Sequence, residues 1–431
     1  MDELNIYNLI LRDRERRIEF IKTFVKKHNV ICVKTNVIGT YKNTLYAPVV
    51  TKYFERKIDT LIKEKNIKLV DKKTNVSLDG NYILYLFNKD IHLKDEMVKL
   101  EDSEEIGRLV DIDVYEGIYD DGTFKSLSRG KRRKCLLCDK DAFVCQKNKT
   151  HTESELKKKS EEIVMNKLTS MVTKALKDSM MYELNLDPKF GLVTKCTNGS
   201  HKDMSYELLE ETQDVIIPYL VEMFKIGYGN TGIKFIYDKI KEVGLKADEA
   251  MFKATKGVNV YKGVIFSLGI ICAALGYKFK SFYIKSESVL NVAKHISKSV
   301  LEEYDKHDTF GSKAYNEYRL GGARLEAYNG FPNVRECARY LDTLDDASLL
   351  KALVYLIVNL EDTVMLKRAK NIDEYYDIKI KFSMLNINDK EEVEKLNKEM
   401  IRKNMSFGGC ADILICAVFM KLIQKDFNLK L

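Results

Sequence analysis

The sequence predicts an α+β domain followed by an all-α domain, because the residue pattern changes near position 150 of a 431-residue chain. Before that position, short runs of β-branched and aromatic residues recur, as is typical of strands. After it, apolar residues recur at helical spacing almost throughout. At ~150 residues per domain, the length suggests two or three domains. We therefore predict two domains, residues 1–155 and residues 156–431.

The first domain is predicted to combine three strands with two helices. The strands are residues 30–37, 82–88 and 108–117, where runs such as VICVKTNV and YILYLFN carry the β-branched and aromatic residues. The helices are residues 11–27 and a segment around residues 48–65, where apolar residues recur at helical spacing.

A capping box lies just before the second domain, because Thr152 is followed by Glu155 three residues later. Apolar residues from Ile163 to Leu176 then follow one helical face. Further helices are predicted at residues 204–228, 233–243, 263–275, 286–304, 346–360, 390–403 and 411–426. The longest apolar run, residues 263–277, is shorter than the ~20 residues that span a bilayer. We interpret it as a buried core helix and expect no membrane contact.

The composition narrows the class of protein without deciding it. Lysine and arginine total 72 against 64 acidic residues, which gives a net charge of +8. This mild basic excess suits a protein that binds polyphosphates or nucleic acid, and a solvated Lys-rich surface explains it equally well. The N-terminal residues do not show the basic segment followed by an apolar segment that is typical of a signal peptide. Nine cysteines without such a signal predict free thiols in a reducing compartment. We therefore expect a cytoplasmic protein.

Two carboxylates lie two residues apart on the predicted strand GRLVDIDVY. Asp111 and Asp113 share one face because side chains alternate along a strand, which leaves Ile112 and Val114 on the other face. Adjacent carboxylates repel each other unless a cation lies between them, and Mg²⁺ is commonly held by such groups together with substrate phosphates. The alternative is a strand with an exposed acidic face, since D-x-D is short and common.

A basic run, RGKRRK at residues 129–134, follows the carboxylates. Arg129, Arg132 and Arg133 carry planar guanidinium groups that bind phosphate oxygens in pairs, and Lys131 adds a further charge. A carboxylate pair beside a basic loop is what phosphoryl or nucleotidyl transfer needs. The alternatives are a solvated basic run and a nucleic-acid-binding patch.

Four metal-ligating residues come next in the chain. C-x2-C is the spacing of a zinc knuckle, and a further cysteine and a histidine could complete a tetrahedron. No second C-x2-C follows, so a set of small packed thiols is the alternative to a structural zinc site. The four candidate ligands are Cys135, Cys138, Cys145 and His151.

Four glycine-bearing loops separate the predicted helices of the second domain. Each loop places polar residues before a helix, whose N-terminal N–H groups favour anions. Together the loops predict a polyphosphate pocket. The candidate catalytic and ligand-binding residues are Asn198, His201, Lys202, Asp203, Asn259, Lys262, Arg324, Glu326, Gly408, Gly409 and Asp412.

The motifs of the first half resemble those of the citrate lyase holo-[acyl-carrier protein] synthase family. They are TNVIGTYKNT, GRLVDIDVY and RGKRRKCLLCDKDAFVCQKNKTH, and the resemblance covers most of residues 1–155. It implies a nucleotidyltransferase-like domain that transfers phosphoribosyl-dephospho-CoA to a serine of the citrate lyase acyl carrier subunit, with release of diphosphate. It also implies that Asp111 and Asp113 bind Mg²⁺ and that Arg132 and Arg133 hold the triphosphate.

The four loops of the second half resemble those of the triphosphoribosyl-dephospho-CoA synthase family over roughly residues 160–425. The two families also occur fused in one chain. This resemblance implies that ATP and 3′-dephospho-CoA are joined with release of adenine. The expected catalytic carboxylates are Asp203, Glu326 and Asp412, and the expected phosphate-binding residues are Lys202, Lys262 and Arg324. The sequence leaves open which carboxylate is the general base.

Two stretches depart from the pattern of the second family. Residues 310–312 read Phe-Gly-Ser where a His-Gly-Glu-like element is expected, and Val364 replaces the last residue of an expected Asp-Thr-Asn core. We therefore expect altered nucleotide contacts or reduced activity in this half.

Two other functions stay open from the sequence. One is a zinc-containing nucleic-acid-binding or regulatory protein with a helical ligand-binding domain, supported by the basic run next to Cys135. Few aromatic residues alternate with the basic ones and no recognition helix is evident, so we expect no nucleic-acid partner. The other is a catalytically silent partner of citrate lyase, which the departures at residues 310–312 and 364 would favour.

Overall fold

The computed structural model describes residues 3–117, 124, 126–130, 132–229, 232–280, 287–303 and 310–427. The chain forms two compact units, which divide between Thr169 and Ser170. This point lies inside helix α5, Glu153–Asn185, so one helix carries the chain from the first unit into the second. The functional boundary after residue 155 stays a prediction, because a division by compactness does not locate activities.

The first unit contains a four-stranded antiparallel sheet in the order β2-β3-β1-β4. The strands are β1 Asn29–Thr35, β2 Leu69–Asn75, β3 Tyr82–Phe87 and β4 Val110–Tyr115. The helices before α5 are α1 Glu3–Val25, α2 Ala47–Glu64, α3 Lys94–Asp102 and α4 Ala142–Lys147. The three predicted strands are confirmed. The sequence of β2, LVDKKTN, is mostly polar, as suits an edge strand, and it therefore gave no strand signal.

Helices α1 and α2 cover opposite faces of this sheet. Ile21 of α1 packs with Cys32 and Leu84 in the core on one face. On the other face, the hydroxyl of Tyr85 donates to the carbonyl oxygen of Glu55 in α2 at 3.2 Å. The predicted α+β character of this half is thus confirmed, and the central strand β1 is almost fully buried.

The second unit is built from helices throughout its described residues. The helices are α6 Tyr206–Gly229, α7 Ile236–Ala254, α8 Lys262–Lys280, α9 Val289–Ile296, α10 Phe310–Tyr318, α11 Gly322–Tyr328, α12 Pro332–Cys337, α13 Asp346–Asn359, α14 Thr363–Arg368, α15 Ile372–Ser383, α16 Lys390–Arg402 and α17 Gly408–Phe427. The prediction of a helical second half is confirmed, although α10–α12, α14 and α15 were not predicted.

One predicted helix is shorter than expected. The pattern over residues 286–304 predicts a single helix, but α9 ends at Ile296 and a short 3₁₀ turn, Val300–Glu303, follows. Ser297 follows the last residue of α9, and its side chain donates to the carbonyl oxygen of Ala293 at 2.8 Å. Residues 286 and 304, at the two ends of the predicted helix, lie outside the described part of the chain.

Helix α8 forms the centre of the second unit and packs closely on α6. Among the described residues, α8 is the one helix long and apolar enough to cross a membrane, yet 78% of its most apolar window is buried inside the protein. This burial agrees with a core helix. Glycines allow the close packing: a Cβ on Gly276 of α8 would overlap the carbonyl oxygen of Phe224 in α6, and a Cβ on Gly227 of α6 would overlap that of Ala273.

We expect Gly276→Ala to destabilise the protein by roughly 2 kcal/mol, because the helices must separate to admit the methyl group. Gly244→Ala is the matched control on α7, since its Cβ would lie 3.6 Å from Met223 Cε, an ordinary contact. The free energy of unfolding of that control should rise by up to about 1 kcal/mol, because alanine has a higher helix propensity than glycine. Urea unfolding of both variants measures the difference, and equal stability would contradict the packing argument.

Candidate active sites

In the first unit, Asp111 and Asp113 lie on the same face of β4, while Ile112 and Val114 are buried on the other. The register with the central strand places Lys34 opposite Asp111. Directly opposed side chains on one face of a sheet lie within reach of each other. The carboxylate pair therefore stands beside a cation that the sequence analysis did not select.

Buried Glu101 of α3 connects the edge of the sheet to the basic run. Its Oε1 accepts from the backbone N–H of Ile112 at 2.7 Å and lies 2.7 Å from Nη2 of Arg133. The other guanidinium nitrogen of Arg133 donates to Asp111 Oδ1 at 3.1 Å. Arg133 is thus held between two carboxylates, next to the predicted metal pair.

The other residues of the basic run have different surroundings. Arg129 pairs with Asp102 and lies 3.6 Å from Glu101. Arg132 is exposed, 3.6 Å from Asp141. Lys131 lies outside the described residues. Arg129 and Arg133 are thus both paired with carboxylates.

A second charged group flanks the carboxylate face. Asp79 Oδ2 accepts from Arg17 Nε at 3.0 Å and from Lys34 Nζ at 2.9 Å. All three side chains are largely buried, and two cations against one carboxylate leave a net positive charge. The sequence carried one signal for this group, namely a lysine inside the otherwise apolar strand VICVKT.

The carboxylates of this face are a set of hard oxygen donors that suits a divalent cation. Asp111 is partly buried, and this burial raises its pKa above the ordinary value. The charge of Arg133 opposes the rise, and the carboxylates of Asp113 and Glu101 add to it. A cation between Asp111 and Asp113 would relieve their repulsion. The donor set therefore fits Mg²⁺.

The four candidate metal ligands come together after the basic run. One ligand atom from each of Cys135, Cys138, Cys145 and His151 lies within 4.8 Å of the others, and this is the one such cluster of three or more among the described residues. Cys138 Sγ is 3.5 Å from Cys145 Sγ and 3.3 Å from His151 Nε2. Ligands of tetrahedral zinc at ~2.0–2.3 Å lie about 3.5–3.8 Å apart. The cluster is therefore compatible with a structural metal.

Backbone groups support the same interpretation. The N–H of Leu137 donates to Cys135 Sγ at 3.5 Å. Burial raises the pKa of Cys135, but N–H groups of Leu137 and Cys138 and the neighbouring thiols bring it below its ordinary value. A thiolate is the form that binds metal. The cluster also borders a cavity of about 720 Å³ whose basic lining residues are Lys42, Arg108, Arg133, Lys134 and Lys149.

The second unit contains a larger cavity of about 810 Å³ on which the four predicted loops converge. The first residues of the long helices α8 and α17 line it, together with the starts of the shorter α11 and α14. The N–H groups at a helix start favour anions. Predicted residues that line the cavity are His201, Asn259, Lys262, Gly408, Gly409 and Asp412.

Asp362 fixes two of these helix starts. It is buried, and it accepts hydrogen bonds from the backbone N–H groups of Val364 and Met365 at the start of α14 and from Cys410 at the start of α17. Glu361 beside it accepts from the N–H of Gly321 at 2.8 Å, before α11. Neither acid was selected as a site residue from the sequence. Their position before a helix was the signal for an N-cap.

His201 belongs to a hydrogen-bonded group at the edge of this cavity. Nη2 of Arg368 lies 3.4 Å from its Nδ1, and its Nε2 lies 2.9 Å from the hydroxyl of Ser406. A guanidinium can only donate, so Nδ1 accepts and the ring carries its proton on Nε2. Burial, and after it the charge of Arg368, lower the pKa of His201 to about 4, and Asp203 opposes the shift. Arg368 and its neighbour Lys367, which also lines the cavity, were not predicted.

Asp412 lies in the cavity wall near the start of α8, where a Cβ on Gly263 would overlap its carboxylate. Burial raises the pKa of Asp412 well above its ordinary value, and the carboxylates of Asp362 and Glu183 raise it further. Glu183 is itself paired with buried Lys189 at 2.8 Å. A carboxyl group with a raised pKa, inside a cavity, is suited to proton transfer.

Several predicted residues do not line this cavity. Asn198, Lys202 and Asp203 are exposed. Glu326 is buried and accepts hydrogen bonds from the backbone and side-chain nitrogens of Asn333 at 2.7 and 2.9 Å.

Two predicted residues have additional contacts. Arg324 lines a smaller, neighbouring cavity, and Lys262 lines both cavities. Asn259, in the larger cavity, uses its side-chain oxygen to accept from the N–H of Lys262 at 3.2 Å. Residues 310, 311 and 364, where the sequence departs from the pattern of the second family, all line the larger cavity.

A helical unit with helix starts converging on one cavity, preceded by a sheet unit with a carboxylate pair, defines a two-domain group transferase. A model of apo-citrate lyase phosphoribosyl-dephospho-CoA transferases, CitX, matches residues 7–167. A model of ATP:dephospho-CoA triphosphoribosyl transferases, CitG, matches residues 169–431. The chain belongs to the family in which these two domains are fused.

Curated relatives have the same organisation. The chain is 30% identical to Protein CitXG of Leuconostoc mesenteroides subsp. cremoris over 97% of both chains. It is 28% identical to Protein CitXG of Haemophilus influenzae, over 95% of this chain and 94% of that protein. A probable 2-(5″-triphosphoribosyl)-3′-dephosphocoenzyme-A synthase of Photobacterium profundum is 33% identical over 55% of this chain and 82% of its own length.

The family membership predicted from the motifs is thus confirmed for both halves. The chain is a bifunctional transferase that makes the precursor of the citrate lyase prosthetic group and attaches the group to citrate lyase.

The lowered pKa of His201 gives a prediction for the pH dependence of stability. Between pH 6.5 and about 4, the unfolded chain binds a proton at this histidine that the folded chain does not, so acid should lower the free energy of unfolding. The effect of this one group is at most roughly 3 kcal/mol. Urea unfolding at the two pH values should show that His201→Gln has lost this part of the pH dependence.

The control for this measurement is His92→Gln, at a histidine whose side chain is 66% exposed. That variant should keep the pH dependence of the unchanged protein. If His201→Gln also keeps it, the histidine is not held neutral as described.

Proposed function

We propose that the two reactions take place at two separate sites, one in each unit. The helical unit would join ATP to dephospho-CoA in the cavity of about 810 Å³, with release of adenine. The sheet unit would transfer the product to a serine of the citrate lyase acyl carrier subunit on the β4 carboxylate face, with release of diphosphate. The observation that carries the proposal is the convergence of helix starts and cations on one cavity in the second unit.

The cavity of the helical unit suits the triphosphate of ATP. The dipoles of α8 and α17 add partial positive charge at their starts, and Asp362 takes one N–H of α17, that of Cys410. Lys262, Lys367 and Arg368 add full charges around the same space. Binding the triphosphate there would bring the ribose of ATP towards Asp412, which lies in the same wall.

Asp412 is our choice for the general base of the first reaction. The ribose hydroxyl of dephospho-CoA attacks C1′ of the ATP ribose, and a C–O bond forms while the C1′–N bond breaks. Adenine leaves with the bonding electrons, and the hydroxyl proton passes to Asp412 and from there to adenine. A raised pKa makes this carboxylate a stronger base than an exposed one. Asp203 and Glu326 are less suited, since the first is exposed and the second is hydrogen bonded to Asn333.

Asp111 and Asp113 would hold Mg²⁺ in the second reaction. When bound, the metal would neutralise charge on the phosphoryl group and on the leaving diphosphate. The carrier serine attacks the phosphorus next to the ribose, a P–O bond forms, the bond to diphosphate breaks, and the serine proton leaves with the diphosphate. Arg133 and the Arg17–Lys34 pair would bind the phosphate oxygens, and we infer a nucleotidyltransferase-like class for this domain.

The Cys/His cluster would hold a structural zinc ion that fixes the end of the transferase domain. Such a brace would position the basic lining of the neighbouring cavity, which includes Arg133. Free thiols in the remaining part of the chain agree with a reducing compartment, and we infer a cytoplasmic enzyme.

Two isosteric variants separate the two reactions. Asp412→Asn should lower adenine release from ATP and dephospho-CoA by about 100-fold or more, in the range of a lost general base. It should still load the carrier when the preformed intermediate is supplied. Asp111→Asn should release adenine normally and fail to load the carrier. Mass spectrometry of adenine and of the carrier subunit reads both steps.

Asp203→Asn is the matched control, since Asp203 is an exposed carboxylate outside the cavity lining. It should keep most of its adenine release. The assignment of the base is wrong if Asp203→Asn loses adenine release and Asp412→Asn keeps it. Loss of both reactions in either single variant would argue against two independent sites.

Metal analysis tests the zinc brace. Protein purified without chelators should contain about one zinc per chain, and Cys138→Ser should contain much less and unfold at a lower temperature. Cys196→Ser changes an exposed thiol outside the cluster and should keep its zinc. A wild-type protein without zinc would leave the three cysteines as packed thiols.

A further inference from the structure

A smaller cavity lies beside the proposed ATP site, and nothing above gives it a role. It measures about 270 Å³, and helices α6, α7 and α8 line it mainly with apolar side chains, among them Met223, Ile240 and Phe266. We call this smaller space the arm cavity. Lys262 at the start of α8 lines both the arm cavity and the larger cavity. The two spaces are therefore neighbours within one unit.

The arm cavity contains one carboxylate and three cationic side chains. The cations are Lys241, Lys262 and Arg324, and the carboxylate is Asp248, so the net charge of the lining is positive. Asp248 Oδ2 lies 3.5 Å from Lys262 Nζ, whereas its buried Oδ1 has no hydrogen-bond partner. A buried oxygen without a donor costs roughly 1–3 kcal/mol, which a ligand N–H or O–H would recover.

The size of the arm cavity limits what can occupy it. Sites for complete drug-sized ligands span about 300–1,000 Å³. At about 270 Å³, the arm cavity has room for one arm of a ligand and not for a nucleotide. The occupant should be slender and mainly apolar, should carry a hydrogen-bond donor for Asp248, and should be joined to an anionic group that meets the cations.

Dephospho-CoA has these features, because its pantetheine arm carries amide N–H groups and is joined to a diphosphate. Adenine fits the size as well, but its hydrogen-bonding edge presents a donor beside an acceptor and needs both partners side by side. The feature left unpaired here is a single acceptor, Asp248 Oδ1. The chemistry therefore favours the pantetheine arm over either adenine.

We propose that the arm cavity binds the pantetheine arm of dephospho-CoA. Lys262 and Arg324 then meet the diphosphate, and the ribose with its reacting hydroxyl extends into the larger cavity. This assignment rests on the proposed function of the larger cavity and gives Arg324 a place in substrate binding although it does not line that cavity. It also explains why Lys262 stands at the start of a helix, where a cation alone is unfavourable.

Filling the arm cavity tests the proposal. Gly244 of α7 lines it, and a Cβ at this position makes only an ordinary contact with Met223. Gly244→Leu should therefore fold and occupy the space, and Gly244→Ala is the smaller control. Calorimetric titration of the full-length protein with dephospho-CoA, ADP and ATP should show about tenfold weaker binding of dephospho-CoA to Gly244→Leu. The Kd values for ADP and ATP should stay within about twofold, and Gly244→Ala should resemble wild type.

Each other result has a defined meaning. Equal weakening of ADP and dephospho-CoA would place the adenosine of the acceptor in the arm cavity and overturn the proposal. Weakening of ATP alone would place the ATP base there and also overturn it, as would unchanged binding of dephospho-CoA. If wild type releases no adenine while Gly244→Leu still weakens dephospho-CoA alone, the proposed reaction is refuted and the arm cavity assignment stands.

Discussion

The helical site depends on one buried carboxylate. Asp362 accepts three backbone hydrogen bonds, from Val364 at 2.7 Å, from Met365 at 3.1 Å and from Cys410 at 3.0 Å. A buried negative charge is costly unless it is paired or hydrogen bonded. Here the starts of α14 and α17 supply three N–H groups and two favourable dipoles. Burial nevertheless raises the pKa of Asp362, because those contacts offset only part of the cost.

This bond network decides how closely the helices approach. A Cβ on Gly409 would lie 2.8 Å from Asp362 Oδ1, closer than real Cβ contacts, so the second residue of α17 must be glycine for Asp362 to reach the N–H of Cys410. The same approach brings Asp412, one turn further along α17, into the cavity wall. The acid that we choose as the base is therefore placed by the acid that caps the helices.

In the sheet unit, Glu101 has a comparable structural role. Strand β4 is an edge strand, and such an edge exposes unpaired N–H groups. Glu101 covers part of it by accepting from Ile112, and the same carboxylate holds Arg133 beside Asp111. In both units a buried acid that takes no part in the proposed chemistry fixes the position of one that does.

The sequence predicted the order of the fold and the family, but only part of each site. Alternation along β4 was enough to place Asp111 and Asp113 on one face, because period-2 geometry is local. The cluster of Cys135, Cys138, Cys145 and His151 was also predicted, because its residues lie close together in the sequence. Local patterns do not reveal which distant helices meet, and so Asp362 and Arg368 were missed.

The sequence also selected residues that the fold places elsewhere. Glu326 was selected beside a glycine pair, yet it is used to hold Asn333. Asp203 was selected in a polar loop that precedes a helix, yet the fold leaves it on the surface. Both had the right residue type, and only the packing of the whole unit could separate them from Asp412.

The substitution at Val364 is compatible with a working site. Asp362 binds the backbone N–H of residue 364, and that donor is present whatever the side chain is. Val364 instead packs against the start of α17, since its methyl groups would lie 3.3 and 3.5 Å from a Cβ on Gly408. The hydrogen bonds that fix the starts of α14 and α17 therefore do not depend on the side chain of residue 364. The departure that favoured a silent protein alters one wall of the cavity and leaves these helix starts in place.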